Sequence, residues 1–109
     1  MAYDEGLSQR IREILDDQSG VVEKKMFGGL AFMINGHMSV GVLKTDLMVR
    51  VGPDNYEHAL SLPHTRPMDF TGKPLKGFVY VDEHGYESDE GLIQWVQKGV
   101  NLALSLPPK

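Results

Sequence analysis

The alternation of apolar and polar positions predicts a run of β-strands in the first half of the chain. Three apolar runs cover residues 30–34, 38–43 and 47–51. Asn35 and Gly36 separate the first two runs, and this pair supplies the two positive-φ residues that a type I′ hairpin turn needs. Residues 44–46 form a weaker turn before the third run. The stretch is therefore predicted to form an antiparallel meander.

Alternation within the runs assigns two faces to this sheet. One face carries mainly β-branched, leucine and aromatic side chains and is predicted to form the core; its members are Leu30, Phe32, Ile34, Met38, Val40, Val42, Leu47, Val49 and Val51. The other face carries small residues and methionine, namely Ala31, Met33, Ser39, Gly41 and Met48. A solvated face normally carries more polar residues. We therefore expect partial cover of this second face, by a loop or by another chain.

Shorter signals place the remaining elements. A run at residues 22–27 precedes the meander, and Gly28-Gly29 separates the two, which indicates a bulge, a bend or a close backbone approach. Residues 4–19 are predicted to form a helix with one apolar stripe. A short helix begins at residue 53 or 54, residues 76–82 form one later strand, and a helix capped by residue 88 or 89 ends the chain.

This element order predicts an α+β domain. The order is a helix, three or four strands, a short helix, one strand and a final helix. Because the helices are amphipathic, they are expected to share one face of a mainly antiparallel sheet, which gives two layers. A length of 109 residues fits one domain covering residues 1–109. In the final helix, Gly99 is costly, and a close approach to the sheet would explain it.

Composition excludes several classes of function. The formal net charge is −4, and non-specific nucleic-acid affinity comes mainly from cationic contacts, so we expect no direct nucleic-acid binding. The chain has no cysteine, which excludes disulfides and thiolate chemistry. Its first residues lack the layout of a signal peptide, and no apolar run is long enough to suggest a membrane span. We expect a cytoplasmic protein without membrane contact.

Four short motifs carry a family resemblance. Residues 26–29 read Met-Phe-Gly-Gly, residues 46–51 read Asp-Leu-Met-Val-Arg-Val, residues 66–70 read Arg-Pro-Met-Asp-Phe, and residues 77–81 read Gly-Phe-Val-Tyr-Val. Together they resemble the N-terminal domain of the TfoX/Sxy family, over nearly the whole chain. The resemblance implies a bacterial regulator of competence and DNA-uptake genes that acts with the cyclic-AMP-dependent activator CRP rather than as an enzyme. Longer members carry a second domain, so a sequence that ends at residue 109 is expected to be a single-domain member.

No pattern of catalytic or metal-binding residues stands out. The four histidines, His37, His58, His64 and His84, have no recognised ligand spacing and fall in or beside turns, so we expect them to be exposed and without a special role. No serine lies in a nucleophile motif, and the carboxylate pairs fall at helix ends and turns. We therefore expect no catalytic residues, no metal and no cofactor.

A few residues are candidates for binding a ligand or a partner. Arg50 is a charge inside an apolar strand. In a structural role it reaches the sheet edge or pairs with a nearby carboxylate. In a functional role it binds an anionic ligand or the acidic surface of a partner. Lys25 and Arg66 are candidates to join it. Met26, Met33, Met48 and Met68 either fill gaps in the core or build an adaptable contact surface, and Met33 and Met48 are the candidates for that contact. Met26, Phe27, Gly28, Gly29, Asn35 and Gly36 are interpreted as structural motif residues.

Two functions remain after these considerations. The first is a non-catalytic interaction module that regulates through protein contacts, with a protein partner or a homodimer contact through the second sheet face. The second is a small anionic-ligand-binding protein or an enzyme that uses the Arg50 region and the loop from Arg66 to Lys76. In that loop, Met68, Phe70 and Leu75 are spaced to hold it against the body; a folded-back loop predicts a monomer. Convergent cations would favour the ligand, and a methionine-rich patch would favour the interaction module.

Overall fold

A computed structural model describes residues 3–26, 28–69, 72 and 74–108 of the chain. Phe27 and Phe70 lie outside the described residues. The elements, in chain order, are α1 (Glu5–Ile14), β1 (Val21–Met26), β2 (Gly29–Ile34), β3 (His37–Leu43), β4 (Asp46–Arg50), a 3-10 turn (Pro53–Asn55), α2 (Tyr56–Ser61), β5 (Thr65–Pro67), β6 (Phe78–Val81), α3 (Glu83–Tyr86) and α4 (Asp89–Ser105).

The strands form one antiparallel sheet in the order β1-β2-β3-β4-β6-β5. Buried residues of all four helices pack into one core on a single face of this sheet. The predicted fold class, a two-layer α+β domain with helices on one face, is therefore confirmed. The sheet has one strand more than predicted, because β5 is only three residues long and its Thr-Arg-Pro sequence has no apolar alternation. Residues 83–86 form an additional short helix, α3, which the Asp82 side chain caps.

The meander has the predicted turns. Asn35 and Gly36 both have positive φ, at 53° and 88°, and the pairing of Ile34 with His37 leaves them as a two-residue loop. Glycine is needed at positions 28 and 29 for different reasons. Gly28 has a φ of 76°, which side chains rarely adopt. A Cβ at Gly29 would run into the Val42 carbonyl oxygen of the neighbouring strand.

Helix α1 ends earlier than predicted. It begins after Asp4, whose Oδ1 accepts a hydrogen bond from the Leu7 amide, but it stops at Ile14 rather than continuing to Ser19. Asp16 and Asp17 follow directly, and carboxylates are unfavourable at the negative end of a helix. Leu15 nevertheless remains in the core beside Leu7 and Ile11.

The core face of the sheet is as predicted except for Met38. The pairing of β2 with β3 shifts between Phe32 and Met33, so that Val40 faces Phe32 while Met38 faces Met33. Ser39 takes the extra position; it is buried and its hydroxyl donates to the Phe32 carbonyl. The predictions for Met38 and Ser39 were therefore wrong, because strict alternation does not allow for a bulge. Met38 packs on the opposite face of the sheet.

Helix α4 is the main cover of the core. Ser88 caps its first turn, and its buried side is the predicted one, formed by Leu92, Trp95, Val96, Gly99, Val100 and Ala103. A Cβ at Gly99 would meet the Ser39 carbonyl oxygen, and would lie 2.7 Å from the Val40 Cγ1. The close approach expected at Gly99 is therefore confirmed, and it sets how near α4 lies to β3.

Candidate interaction surface

One face of the sheet is left without helices, and we call it the methionine face. Strand register and packing place the following side chains on it: Val22, Lys24 and Met26 of β1, Met33 of β2, Met38 and Leu43 of β3, Met48 and Arg50 of β4, Phe78 and Tyr80 of β6, Arg66 of β5, and Met68 beyond it. All five methionines that the structure describes are in this set. The core on the helix side contains none. The methionines are therefore segregated to one side of the molecule.

Part of the methionine face is packed into a small buried cluster. Met48, Met68 and Tyr80 are buried there, at 3%, 4% and 5% exposure, with Met38, Leu43 and Phe78 packed around them. Met68 reaches this cluster from the loop that follows β5, as its predicted anchoring role requires. Leu75 does not share that role, since it is 39% exposed, although its amide donates to the Met68 carbonyl. The loop thus covers one end of the face.

The centre of the face is closed by methionine side chains. A Cβ at Gly41 would lie 2.7 Å from the Met48 methyl carbon and 3.3 Å from that of Met38. Ala31, next to Gly41 across the strands, is fully buried. Ala31, Gly41 and Met48 are therefore buried within the chain itself. Small residues here leave room for the long, flexible thioether side chains to fold over the sheet.

Arg50 is held against an aromatic ring. Its guanidinium carbon lies 5.4 Å from the centre of the Phe78 ring, which is the cross-strand neighbour on β6. Such a contact is a cation–π interaction, and at a half-buried site it contributes roughly 0.5–1 kcal/mol. Among the ion pairs of the described residues, none includes Arg50. Its charge is therefore placed on the methionine face without being neutralised by a carboxylate in contact.

Arg66 is engaged by a carboxylate. Both terminal nitrogens of its guanidinium donate to the two carboxylate oxygens of Asp46, and the group lies 4.7 Å from the centre of the Tyr80 ring. The hydrogen bond to Asp46 raises the pKa of Arg66, and burial raises the pKa of Tyr80. A bidentate pair of this kind satisfies the arginine. Arg66 therefore holds β5 to the β3–β4 corner rather than presenting an unpaired charge.

The three candidate cations do not form one site. Arg50 and Arg66 share the methionine face but lie on β4 and β5, with β6 between them. Lys25 is on β1, the opposite edge of the sheet, and faces the helix side because its neighbour Lys24 faces the other. Sequence reasoning could not place them, because the order β4-β6-β5 brings together strands that are distant along the chain. No signal in the sequence indicated the pairing of Arg66 with Asp46.

Several apolar side chains remain accessible beyond the covered end. Val22 is 62% exposed, and Met26, Met33, Met38, Leu43 and Phe78 are half-buried. They lie on the neighbouring strands β1, β2 and β3 and on β6, with Met48 and Arg50 of β4 between the two groups, and they form a band across the sheet. Met33, selected from the sequence as a contact residue, lies within this band, whereas Met48 lies beneath it. Phe78 was not selected from the sequence as a contact residue.

The shallow grooves on the helix side include two that are lined in part by histidine. One, of about 430 Å³, lies between the 3-10 turn and the end of α4, and its polar lining includes Asp54, His58, Lys98 and Asn101. The second, of about 370 Å³, brings His58, His64 and His84 beside Trp95. His37 is elsewhere and is buried, with its Nε2 2.6 Å from the Pro107 carbonyl oxygen. The expectation that all four histidines are exposed was wrong for His37, which anchors the end of the chain.

Two findings bear on other classes of function. Within the described part of the chain, no group of three or more histidine or acidic side chains is placed to hold a metal ion. Over the same residues, no helix has both the length and the apolar character that a membrane crossing requires.

The fold and this surface define a class of protein: a small α+β domain with helices on one side of its sheet and a methionine-rich band on the other. The chain belongs to the TfoX N-terminal domain family, whose model matches residues 13–103. The family resemblance noted in the four short motifs is thereby confirmed. No curated protein and no solved structure matches the chain.

Proposed function

We propose that this chain is a non-catalytic interaction module that binds a protein partner through the methionine face. The regulatory role in competence gene expression that the family implies is the setting we propose for that contact. The observation that carries the proposal is the segregation of every described methionine onto the one sheet face that has no helices. Methionine is flexible and polarizable, and it is typical of surfaces that must adapt to a partner.

The exposed part of the face supports the same proposal. Val22, Met33, Met38 and Phe78 remain wholly or partly accessible although the loop beyond β5 covers the neighbouring cluster. An apolar band that stays accessible on a small domain is typical of an interaction site. The band is shallow and lies across strands, so it suits the side of a helix or an extended segment better than a small ligand, which prefers a concave pocket.

The anionic-ligand alternative has less support. It needs convergent cations, but Arg66 is engaged by Asp46, and Lys25 lies at the opposite edge and on the other side of the sheet from Arg50. A single half-buried arginine against Phe78 provides one ligand group for an anion, and specific anion sites generally combine several donors. We therefore keep the interaction module as the proposed function.

Affinity purification from native cytosol tests the proposal. The tagged protein is compared with Met33→Glu, which places a charge in the accessible band, and with Gln97→Glu, which makes a new charge on the exposed side of α4. Recovered proteins and small molecules are both measured by mass spectrometry, and the melting temperature of each variant is measured first. We expect the wild type and Gln97→Glu to retain the same partner protein and Met33→Glu to lose it.

Other outcomes would contradict the proposed function. Recovery of a small molecule in place of a protein would support the anionic-ligand alternative. An unchanged set of proteins with folded Met33→Glu would show that the partner binds elsewhere. A third outcome is that no partner is recovered and the protein is a monomer in sedimentation at about 100 µM, a concentration far above a micromolar dissociation constant. This outcome would show that the loop beyond β5 covers the face and that no partner binds there.

A further inference from the structure

The charges of this protein are unevenly distributed between its helical segments and the rest of the chain. The helices with their flanking turns, residues 4–17, 53–61 and 82–105, carry twelve acidic and three basic residues. The rest of the chain, which is mainly the sheet and its loops, carries three acidic and eight basic residues. A net charge of −4 thus conceals helical segments that are acidic and other segments that are basic. This separation bears on what the methionine face can bind.

Two cations without a carboxylate partner in the described part of the chain lie among the apolar side chains of the methionine face. Lys24 is exposed on β1 beside Val22, and Arg50 is half-buried on β4 beside Phe78. Three strand spacings separate β1 from β4, which is about 14 Å. Neither Lys24 nor Arg50 is in an ion pair among the described residues. The one acidic strand residue on this face, Asp46, is already bonded to Arg66.

We infer that the methionine face binds an acidic amphipathic segment of another protein, with apolar side chains on the band and carboxylates at Lys24 and Arg50. This inference rests on the proposed function and adds the chemistry of the partner. Complementary charges orient a partner and raise the rate of association, while the apolar band supplies the contact area. Methionine side chains then adjust to the shape of the apolar residues that reach them.

A second copy of the chain is a poorer occupant. A symmetric contact brings the same patch of both copies together, so Lys24 and Arg50 would face a surface of their own sign. Both edges of the sheet are also unsuited to strand pairing between copies. The outer edge β1 reads Val-Val-Glu-Lys-Lys-Met with its central residues exposed, and the other edge, β5, is short and contains Pro67; charged and proline-containing edges resist such pairing.

Nucleic acid is also a poorer occupant. A phosphate backbone needs a row of cations, whereas the methionine face offers Lys24 and Arg50 separated by Met33 and Met38. Phosphate groups placed over the apolar side chains between the cations would lose water without gaining a hydrogen-bond donor. An acidic segment with leucine-like side chains satisfies both components of the surface.

Methionine-methyl NMR can test this inference directly, because all described methionines report on the methionine face. The protein is labelled at methionine methyl groups and titrated with a helical peptide that has leucine on one side and glutamate on the other. A matched peptide carries lysine in place of glutamate, and duplex DNA is a third probe. The indole signal of Trp95, the single tryptophan, reports on the helix side.

We expect the glutamate peptide to shift the signals of Met33 and Met38 while the Trp95 signal stays unchanged. Binding should weaken as salt rises from about 0.05 to 0.5 M, because exposed charges are screened. Lys24→Glu with Arg50→Glu should weaken it about tenfold, an effect of charge reversal at an interface. Lys98→Glu is the control, because Lys98 is an exposed cation 5.8 Å from an aromatic ring on the helix side.

Four results would overturn the inference. Equal binding of both peptides would remove the charge preference while leaving a protein-binding face. Shifts with duplex DNA in place of the glutamate peptide would contradict the proposed function as well. Concentration-dependent shifts of the protein alone would identify a second copy as the occupant. No methionine shift at about 1 mM glutamate peptide, a concentration that saturates even weak sites, would show that the face does not bind acidic segments.

Discussion

Replacing Gly99 by alanine tests the contact that sets the distance between α4 and the sheet. A new Cβ would overlap the Ser39 carbonyl oxygen and come within 2.9 Å of its carbonyl carbon and 2.7 Å of the Val40 Cγ1. Two of these three atoms belong to the backbone of β3, a strand inside the sheet. They cannot rotate away as a side chain can, so the helix has to move outward and loosen its contacts with the core.

Two effects of opposite sign determine the magnitude. Alanine is favoured over glycine inside a helix by about 1 kcal/mol, and overpacking a core costs about 1–3 kcal/mol or more. Because the clash involves backbone, we place the cost at or above the upper end of that range. The net expectation is a loss of about 2 kcal/mol in the free energy of unfolding, which lowers the melting temperature by roughly 10 °C in a domain of this size.

Urea unfolding followed by tryptophan fluorescence measures this change, since Trp95 is buried one turn before Gly99. Gln97→Gly and Gln97→Ala form the matched control on the exposed side of α4. The alanine variant there should be the more stable by about 1 kcal/mol, which is the helix propensity alone. If Gly99→Ala proves as stable as the wild type, the close approach of α4 to β3 does not constrain the fold.

Four further substitutions test individual features. Gly28→Val and Gly29→Val should each lower the melting temperature, the first through its positive φ and the second through a backbone clash; an unchanged value for both would contradict this. Tyr86→Phe removes a hydrogen bond to the Thr45 carbonyl and should cost about 1 kcal/mol. Burial raises the pKa of Tyr86 from 10 to about 12. The wild type should therefore lose stability between pH 10 and 12, because only the unfolded state ionises in that range, and the Tyr86→Phe variant should lose less. Equal losses in the two proteins would refute this prediction. Glu23→Gln should lower the free energy of unfolding by about 0.5 kcal/mol near neutral pH. The hydrogen bond from the Arg12 guanidinium on α1 lowers the pKa of Glu23, so the difference between variant and wild type should vanish as the pH falls through that lowered pKa. A difference that persists in acid would refute this.

The strands of the meander could be predicted because their signals are local. Asn35-Gly36 fixes the register of β2 and β3, and strict alternation then assigns nearly every core residue to its face. Met38 was the exception, because the extra residue Ser39 places Met38 on the opposite face of the sheet. Local signals also placed Gly99 against the sheet, because glycine in a long helix requires a reason.

The candidate surface was less predictable because it depends on distant pairings. The contacts of Arg66 with Asp46 and Tyr80 arise from the strand order β4-β6-β5, and β5 is too short to show a pattern. The sequence did separate Met33 and Met48 from the core face, but exposure depends on how side chains fold. Met48 closes over Gly41 and is buried, while Met33 stays accessible.

The central claim is that the methionine face is the surface that contacts a partner protein. Placing a photo-crosslinking amino acid at position 33, and at position 97 on the exposed side of α4, measures this in native cytosol. We predict one protein crosslinked at position 33, at an acidic and apolar segment, and no corresponding product at position 97. Crosslinks of that protein at position 97 alone, or no protein crosslinked at position 33, would contradict the claim.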